Sequence, residues 1–250
     1  MEKIDWSNVL LFIIVVVVVA SLTAEQSRPD WSAEKTEVVI RTNLLYPSGR
    51  IIYSDDFSSP VVAWSLSGDL GYSAGLTTTY TFTPPSAMKL TTPATATKRA
   101  RMIKIFGLAT TKIIGIQTAF NLDGGGTNQL VFSMNRRATG IYWTGTITYD
   151  AVNEKWIYVD VDGNEQDVSG GSQNLSRGTG IYHFFKAIFD FEDGEYVGFY
   201  SDDTFYSMKG ISLRKEVAGG DEQMTTAINL IATTNAAENV WIDNVSITEE

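Results

Sequence analysis

Cysteine is missing altogether from this 250-residue chain. That absence removes disulfides, zinc–thiolate centres and a thiol nucleophile from consideration. It does not argue against export, because a domain of this size can bury enough apolar surface to stand without covalent staples. Histidine is nearly missing too, with His183 the single example. A zinc site of several histidines is excluded, and any Ser-His-Asp triad would have to use that one residue. Basic residues are outnumbered, 19 Lys and Arg against 29 Asp and Glu, for a formal net charge of −10. Phosphate backbones need a basic face, so nucleic acid is not an expected partner. From Arg50 onward no helical pattern of useful length occurs, and no internal repeat or dividing linker is visible.

One long apolar run is present: residues 9–22 read VLLFIIVVVVVASL, about fourteen uncharged positions. A spanning helix normally needs roughly 17–25, and the length suits the apolar core of a signal peptide better. The flanks suit it poorly, because Glu2 and Asp5 outweigh Lys3. Five valines in a row also favour a strand. Three readings of residues 1–24 stay open: a cleaved export signal, a retained membrane anchor, or a segment donated to a neighbouring subunit. Residues 25–49 form a polar connector, with a strand candidate at Glu37–Leu44 and a turn at Pro47-Ser48-Gly49.

Residues 50–250 read as one all-β domain. Short runs rich in β-branched and aromatic residues alternate with turn signals such as Asp162-Gly163 and Asp193-Gly194. The last run, Val240-Trp241-Ile242-Asp243-Asn244-Val245-Ser246-Ile247, alternates apolar and polar side chains and is expected to close a sandwich beside an early strand running from Arg50 to Phe57. Residues 67–86 are expected as a long loop with one edge strand, and Gly170–Gly180 as a second loop. About a dozen strands in some 200 residues is the size of a large antiparallel jelly-roll β-sandwich.

Asp55-Asp56-Phe57 with Trp64, Ser86-Ala87-Met88-Lys89-Leu90, the hairpin from Phe184 through Asp190 to Asp193-Gly194, and Trp241-Ile242-Asp243-Asn244-Val245 together resemble the concanavalin A-like and carbohydrate-binding-module jelly rolls. The resemblance covers roughly residues 50–250 and implies a fold more than an activity. It also implies a structural calcium ion tying the first and last strands, with Asp55 or Asp56 and Asp243 as its ligands; the competing reading is that these acids cap strand ends.

Aromatic faces stack on the apolar faces of sugars, which makes Tyr142, Trp143, Trp156, Tyr158 and Tyr182 the candidate glycan platform. Tyr142 and Trp143 are adjacent and must point to opposite sides of a sheet, so one of them belongs to the core. Trp156 and Tyr158 share a face. Asp190, Glu192, Asp193 and Glu195 are the densest acidic cluster. Glycosidases that resemble this chain place carboxylates on alternate residues of one strand, but their glutamate-x-aspartate-x-x-glutamate pattern is not matched, and a hairpin tip explains the cluster better. Asp160, Asp162 and Asn164 are spaced like calcium-loop ligands, with a hairpin turn as the simpler account. Arg99 and Arg101 share one strand face in the only basic cluster, Lys98 to Lys104, which reads as a charged sheet edge or a contact to an acidic subunit or anionic glycan.

The expectation is a non-catalytic, secreted or membrane-anchored β-sandwich that binds glycan or packs against neighbouring subunits of a surface assembly. The alternatives are a structural subunit of a virion or filament anchored through residues 9–22, and a glycoside hydrolase or lyase.

Overall fold

A computed structural model describes residues 49–250 apart from 108, 110, 111, 123–127 and 179. The apolar run, the strand candidate at residues 37–44 and the break at Gly124-Gly125-Gly126 lie outside the described residues.

Sixteen strands are described: β1 (Arg50–Asp55), β2 (Ser65–Gly68), β3 (Ser73–Thr77), β4 (Ala87–Thr91), β5 (Arg99–Phe106), β6 (Ile113–Leu122), β7 (Asn128–Ala138), β8 (Ile141–Asp150), β9 (Lys155–Val159), β10 (Glu165–Ser172), β11 (His183–Asp190), β12 (Glu195–Ser201), β13 (Thr204–Ser212), β14 (Arg214–Val217), β15 (Gln223–Ala232) and β16 (Asn239–Glu249). They form two antiparallel sheets. The first runs β13-β12-β11-β6-β16-β4-β3, with β1 also on β16; the second runs β10-β9-β8-β7-β15-β5-β2, with β14 also on β8. The two sheets make an all-β antiparallel sandwich, as the turn spacing predicts.

Alternation decides which residues meet between the sheets. Leu130, Phe132 and Met134 of β7 point inward, as do Ile147 and Tyr149 of β8 and Phe185, Ala187 and Phe189 of β11. The rings of Phe132 and Phe185 stack across the gap with centroids 3.9 Å apart. Close approach also explains Gly145: any Cβ there would collide with the Phe189 ring from the opposite sheet.

β16 lies beside β1, as expected, but it sits inside the first sheet between β6 and β4, and its partners change along its length. Asn239 to Ile242 pair with β4, while Val245 to Glu249 pair with β1, where Asp55 lies opposite Val245. Against β6, Asp243 pairs with Ala119 and Ser246 with Gln117, so one extra residue bulges from β16. Asn244 sits at this bulge with φ 49°. The bulge keeps Val240, Ile242, Val245 and Ile247 all fully buried although Ile242 and Val245 are three apart.

The segment 67–86 holds the end of β2 and one edge strand, β3, in line with expectation, whereas β10 extends to Ser172 inside the expected loop 170–180, which corrects that loop. Both are Gly- and Ser-rich edge strands whose ladder hydrogen bonds outweigh weak side-chain propensity. β14, four exposed residues long, has no apolar pattern to announce it.

Candidate functional site

The five aromatics proposed as one platform do not form one. Trp156 is completely buried and donates its indole N–H to Gln173 Oε1 at 2.9 Å. Tyr158 faces the same way, edge-on to Tyr196 with centroids 5.8 Å apart. Trp143 also turns inward, packed on the core beside Gly194 of the opposite sheet. Tyr182 lies on the outer side of the first sheet beneath residues 80–83: its ring meets Phe82 at 5.5 Å and its hydroxyl donates to the Tyr80 carbonyl. Burial, with the Asp243 charge, raises the Tyr182 pKa. Only Tyr142 points away from the core on the second sheet. The rule that adjacent strand residues face opposite ways separates Tyr142 from Trp143. It cannot say which of the two is inside.

The expected calcium ligands are also otherwise engaged. Asp55 accepts hydrogen bonds from Phe57 N at 2.8 Å, Trp64 Nε1 at 3.0 Å and the Tyr53 hydroxyl at 3.1 Å. Asp56 accepts from Ser58 N at 3.0 Å. Asp243 is fully buried and accepts from the backbone N–H groups of Phe82 (2.9 Å), Thr83 (2.8 Å) and Asn244 (2.8 Å). Burial lifts its pKa to about 6 against the pull of those three donors, and the Asp56 charge adds to the rise. No group of three or more His, Cys, Asp or Glu able to hold a metal ion occurs among the described residues. These acids tie loops to strand ends instead.

The acidic cluster is a hairpin tip. Asp190 accepts from Glu192 N and Asp193 N at 2.8 and 3.1 Å, and Glu192 pairs with Lys112 at 2.8 Å. The Lys112 ammonium lowers the Glu192 pKa, by its hydrogen bond and its charge. Asp160 closes its own turn on the N–H groups of Asp162 and Asn164. His183 is buried between Asp202 (2.8 Å) and the Ser176 carbonyl (2.7 Å), with no serine oxygen in a triad role beside it. Burial pulls its pKa down, but the Asp202 carboxylate, by hydrogen bond and charge, outweighs that and the net shift is upward.

What remains is a face. The outward residues of the second sheet align in rows fixed by register. Glu216, Tyr142, Arg137 and Gln223 form one row across β14, β8, β7 and β15. The next holds Arg214, Thr144, Asn135, Thr225 and Ile105, and the third Thr146, Ser133, Ala227, Ile103 and Ser65. Thr148, Val131, Asn229, Arg101 and Ser67 make the fourth. Among the described residues no strand packs across this face. Its lining is hydroxyls, amides, short apolar groups and arginines, with one aromatic. The Arg137 guanidinium stands 5.4 Å from the Tyr142 ring centroid, a cation–π pair that holds both side chains in place. Burial raises the Tyr142 pKa.

Arg137, Asn135 and Thr144 escape a search for aromatics and acids, yet a signal for them exists. Thr139 and Gly140 both have positive φ, 53° and 77°, and form a two-residue hairpin loop. Such a loop sets Ala138 opposite Ile141, hence Arg137 opposite Tyr142 and Asn135 opposite Thr144. An aromatic pair, half-buried Tyr200 and exposed Phe205 with centroids 4.7 Å apart, lies on the first sheet. An open groove of about 350 Å³ lines the β3 edge of that sheet, along Ser73 to Thr77 and Lys89.

No family model matches the chain, and no curated protein matches it by sequence. Solved structures do. An endo-β-1,4-glucuronan lyase from the fungus Trichoderma reesei superposes with a TM-score of 0.54 at 14% identity, covering 80% of this chain and 96% of that one. The cellulose induced protein Cip1 gives 0.56 at 17% identity, with 79% and 97% covered. A carbohydrate esterase from the Shiga toxin-encoding bacteriophage phi24B gives 0.54 at 17% identity, with 81% and 100% covered. At such identities the likeness is one of fold, and function must be argued from the site. By fold the chain is a concanavalin A-like jelly-roll β-sandwich, an architecture shared by carbohydrate-binding modules and by glycoside hydrolases and lyases.

Proposed function

We propose that this chain is a non-catalytic carbohydrate-binding module, displayed outside the cell, that takes a glycan along the outer face of its second sheet. One observation carries the reading: a broad sheet face, with no strand across it among the described residues, is lined by hydroxyl, amide and guanidinium groups around a half-buried tyrosine. Sugars present hydroxyls on their edges and C–H groups on their faces, and this lining offers partners for both. Tyr142 supplies the stacking ring. Asn135, Thr144 and Arg137 supply donors and acceptors within one or two residues of it along the ladder. Among the described residues tryptophan takes no part, since Trp64, Trp156 and Trp241 are buried and Trp143 is turned inward.

The non-catalytic half of the reading rests on the carboxylates. Asp190 and Asp160 are spent on their own turns, and Glu192 on Lys112. On the proposed face, Asp150 accepts from Val152 N, Asn153 N and Asn153 Nδ2, which leaves it poorly placed as a general acid.

A glycan array probed with the full chain, followed by calorimetry, tests this. Tyr142→Ala should weaken binding about three- to tenfold while leaving the melting temperature nearly unchanged. Trp156→Ala should do the reverse, costing about 3–5 kcal/mol of stability through the core. Glycan binding untouched by Tyr142→Ala would move the site elsewhere, with the Tyr200–Phe205 pair the first place to look. Release of reducing or unsaturated sugar ends during incubation would show the chain to be an enzyme.

A further inference from the structure

We propose that the Tyr142 face selects anionic glycans, polymers bearing carboxylate or sulfate groups, over neutral ones. This rests on the glycan reading above and sharpens it. The chain as a whole is acidic, at −10, so arginines left without a carboxylate partner on one face stand out against their surroundings. Four arginines point outward on this sheet: Arg99 and Arg101 on β5, Arg137 on β7 and Arg214 on β14. Three of the acids that share the face are already matched, and Glu165 on β10 is not. Glu216 holds Arg214 at 2.5 Å, Asp167 holds Lys155 at 2.6 Å, and Asp150 is held by its turn donors. Arg99, Arg101 and Arg137 have no carboxylate within ion-pair distance among the described residues. The positive charge of the face is therefore left for a ligand.

Arg137 is the best placed of the three. Its guanidinium lies over the Tyr142 ring on one side, and a Cβ at Gly220 would strike its Nη1 on another, so the loop after β14 packs closely against it. Its Nε is buried without a hydrogen-bond partner. A guanidinium held this way offers a rigid planar fork to a carboxylate or sulfate at little entropic cost. Arg101, whose Nε donates to Ser67 Oγ at 2.7 Å, is similarly held. The two rows are three pairs apart on β15, Gln223 opposite Arg137 and Asn229 opposite Arg101. At about 3.4 Å per residue that is roughly 20 Å along the sheet. Two anchors so far apart suit an extended polyanion rather than a single sugar.

The test uses the full chain in calorimetry against four probes: polygalacturonate, dextran sulfate, a neutral β-glucan and single-stranded DNA. Binding to either anionic polysaccharide at least tenfold tighter than to the β-glucan, and weakening with added salt, is the expected result. The two anionic arms tell carboxylate from sulfate recognition. Arg137→Gln should lose about ten- to hundredfold on the preferred polyanion, the scale of a charge-assisted hydrogen bond. Arg137→Lys, which keeps the charge without the fork, should fall between. Lys209→Gln, an exposed charge on β13 of the other sheet, should change nothing. Equal binding of neutral and anionic glycan, unaffected by Arg137→Gln but lost with Tyr142→Ala, would overturn the anionic preference and leave the glycan reading standing. Binding to none of the polysaccharides would overturn both. Arg137-dependent binding to DNA tighter than to any polysaccharide would overturn the glycan identity of the ligand.

Discussion

Asp243 shows how far a residue's role depends on its surroundings. Its side chain leaves β16 at the bulge and receives the N–H groups of Phe82 and Thr83, so a carboxylate on the last strand pins the loop that covers Tyr182. Burial raises its pKa from 3.8 to about 6. Between those two values the folded chain holds a proton that the unfolded chain has released. Stability from this group is therefore full below about pH 4 and is lost as pH rises through 6, by at most about 3 kcal/mol. Asp243→Asn does not titrate. Urea unfolding of both proteins from pH 4 to 7 should show the wild type losing ground to the variant as pH rises. A constant difference across that range would mean Asp243 is ionised throughout. Glu192 is the contrast. It is exposed, and its pair with Lys112 is screened by water, so Glu192→Gln should leave both the melting temperature and glycan binding nearly unchanged. The sequence shows each as an acidic residue in a β-rich run; only the covering loop, distant in the chain, tells them apart.

Elements were more legible than sites, for a physical reason. β6, β7, β8, β11, β12, β15 and β16 each carry an inward apolar series, and alternation makes that series visible in one dimension. β2, β3 and β14 lie at or near sheet edges with small or charged residues, and their ladders are decided by neighbours that a linear reading cannot see. The bulge in β16 lies between these cases. Its apolar positions 240, 242, 245 and 247 step by two, three and two, and the step of three marks the extra residue. Asn244 takes a left-handed backbone there, with its side-chain amide donating to Thr83 Oγ1 at 2.6 Å. A β-branched side chain is strained in that conformation and glycine is not. Asn244→Val should therefore destabilise by about 1–3 kcal/mol, clearly more than Asn244→Gly, as thermal melts of the two variants would show. Melting temperatures that rank the other way would mean the bulge can slide along the strand.

At the scale of the whole molecule, sheet membership separates the residues that the aromatic-platform expectation grouped. Tyr142 and Tyr182 lie 40 positions apart in the chain and on different sheets, facing opposite sides of the sandwich. A platform uniting them with Trp156 would have to pass through the core. The termini of the described fold meet in the first sheet, where β1 lies on β16 and Arg50 pairs with Glu249. This is the junction where the resemblance implies calcium. Protein groups already engage both acids there: Asp55 accepts from donors on its own strand, the following turn and Trp64, and Asp243 from the loop at residues 82–83. A hard cation would have to displace those N–H groups and collect further oxygen ligands, since it requires six or more. The full chain should accordingly melt at the same temperature, to within about 1 °C, in excess chelator and in millimolar calcium. A calcium-dependent rise of several degrees, abolished by Asp243→Asn, would show that the ion reorganises this junction, because a ligand that binds only the folded chain must raise its melting temperature.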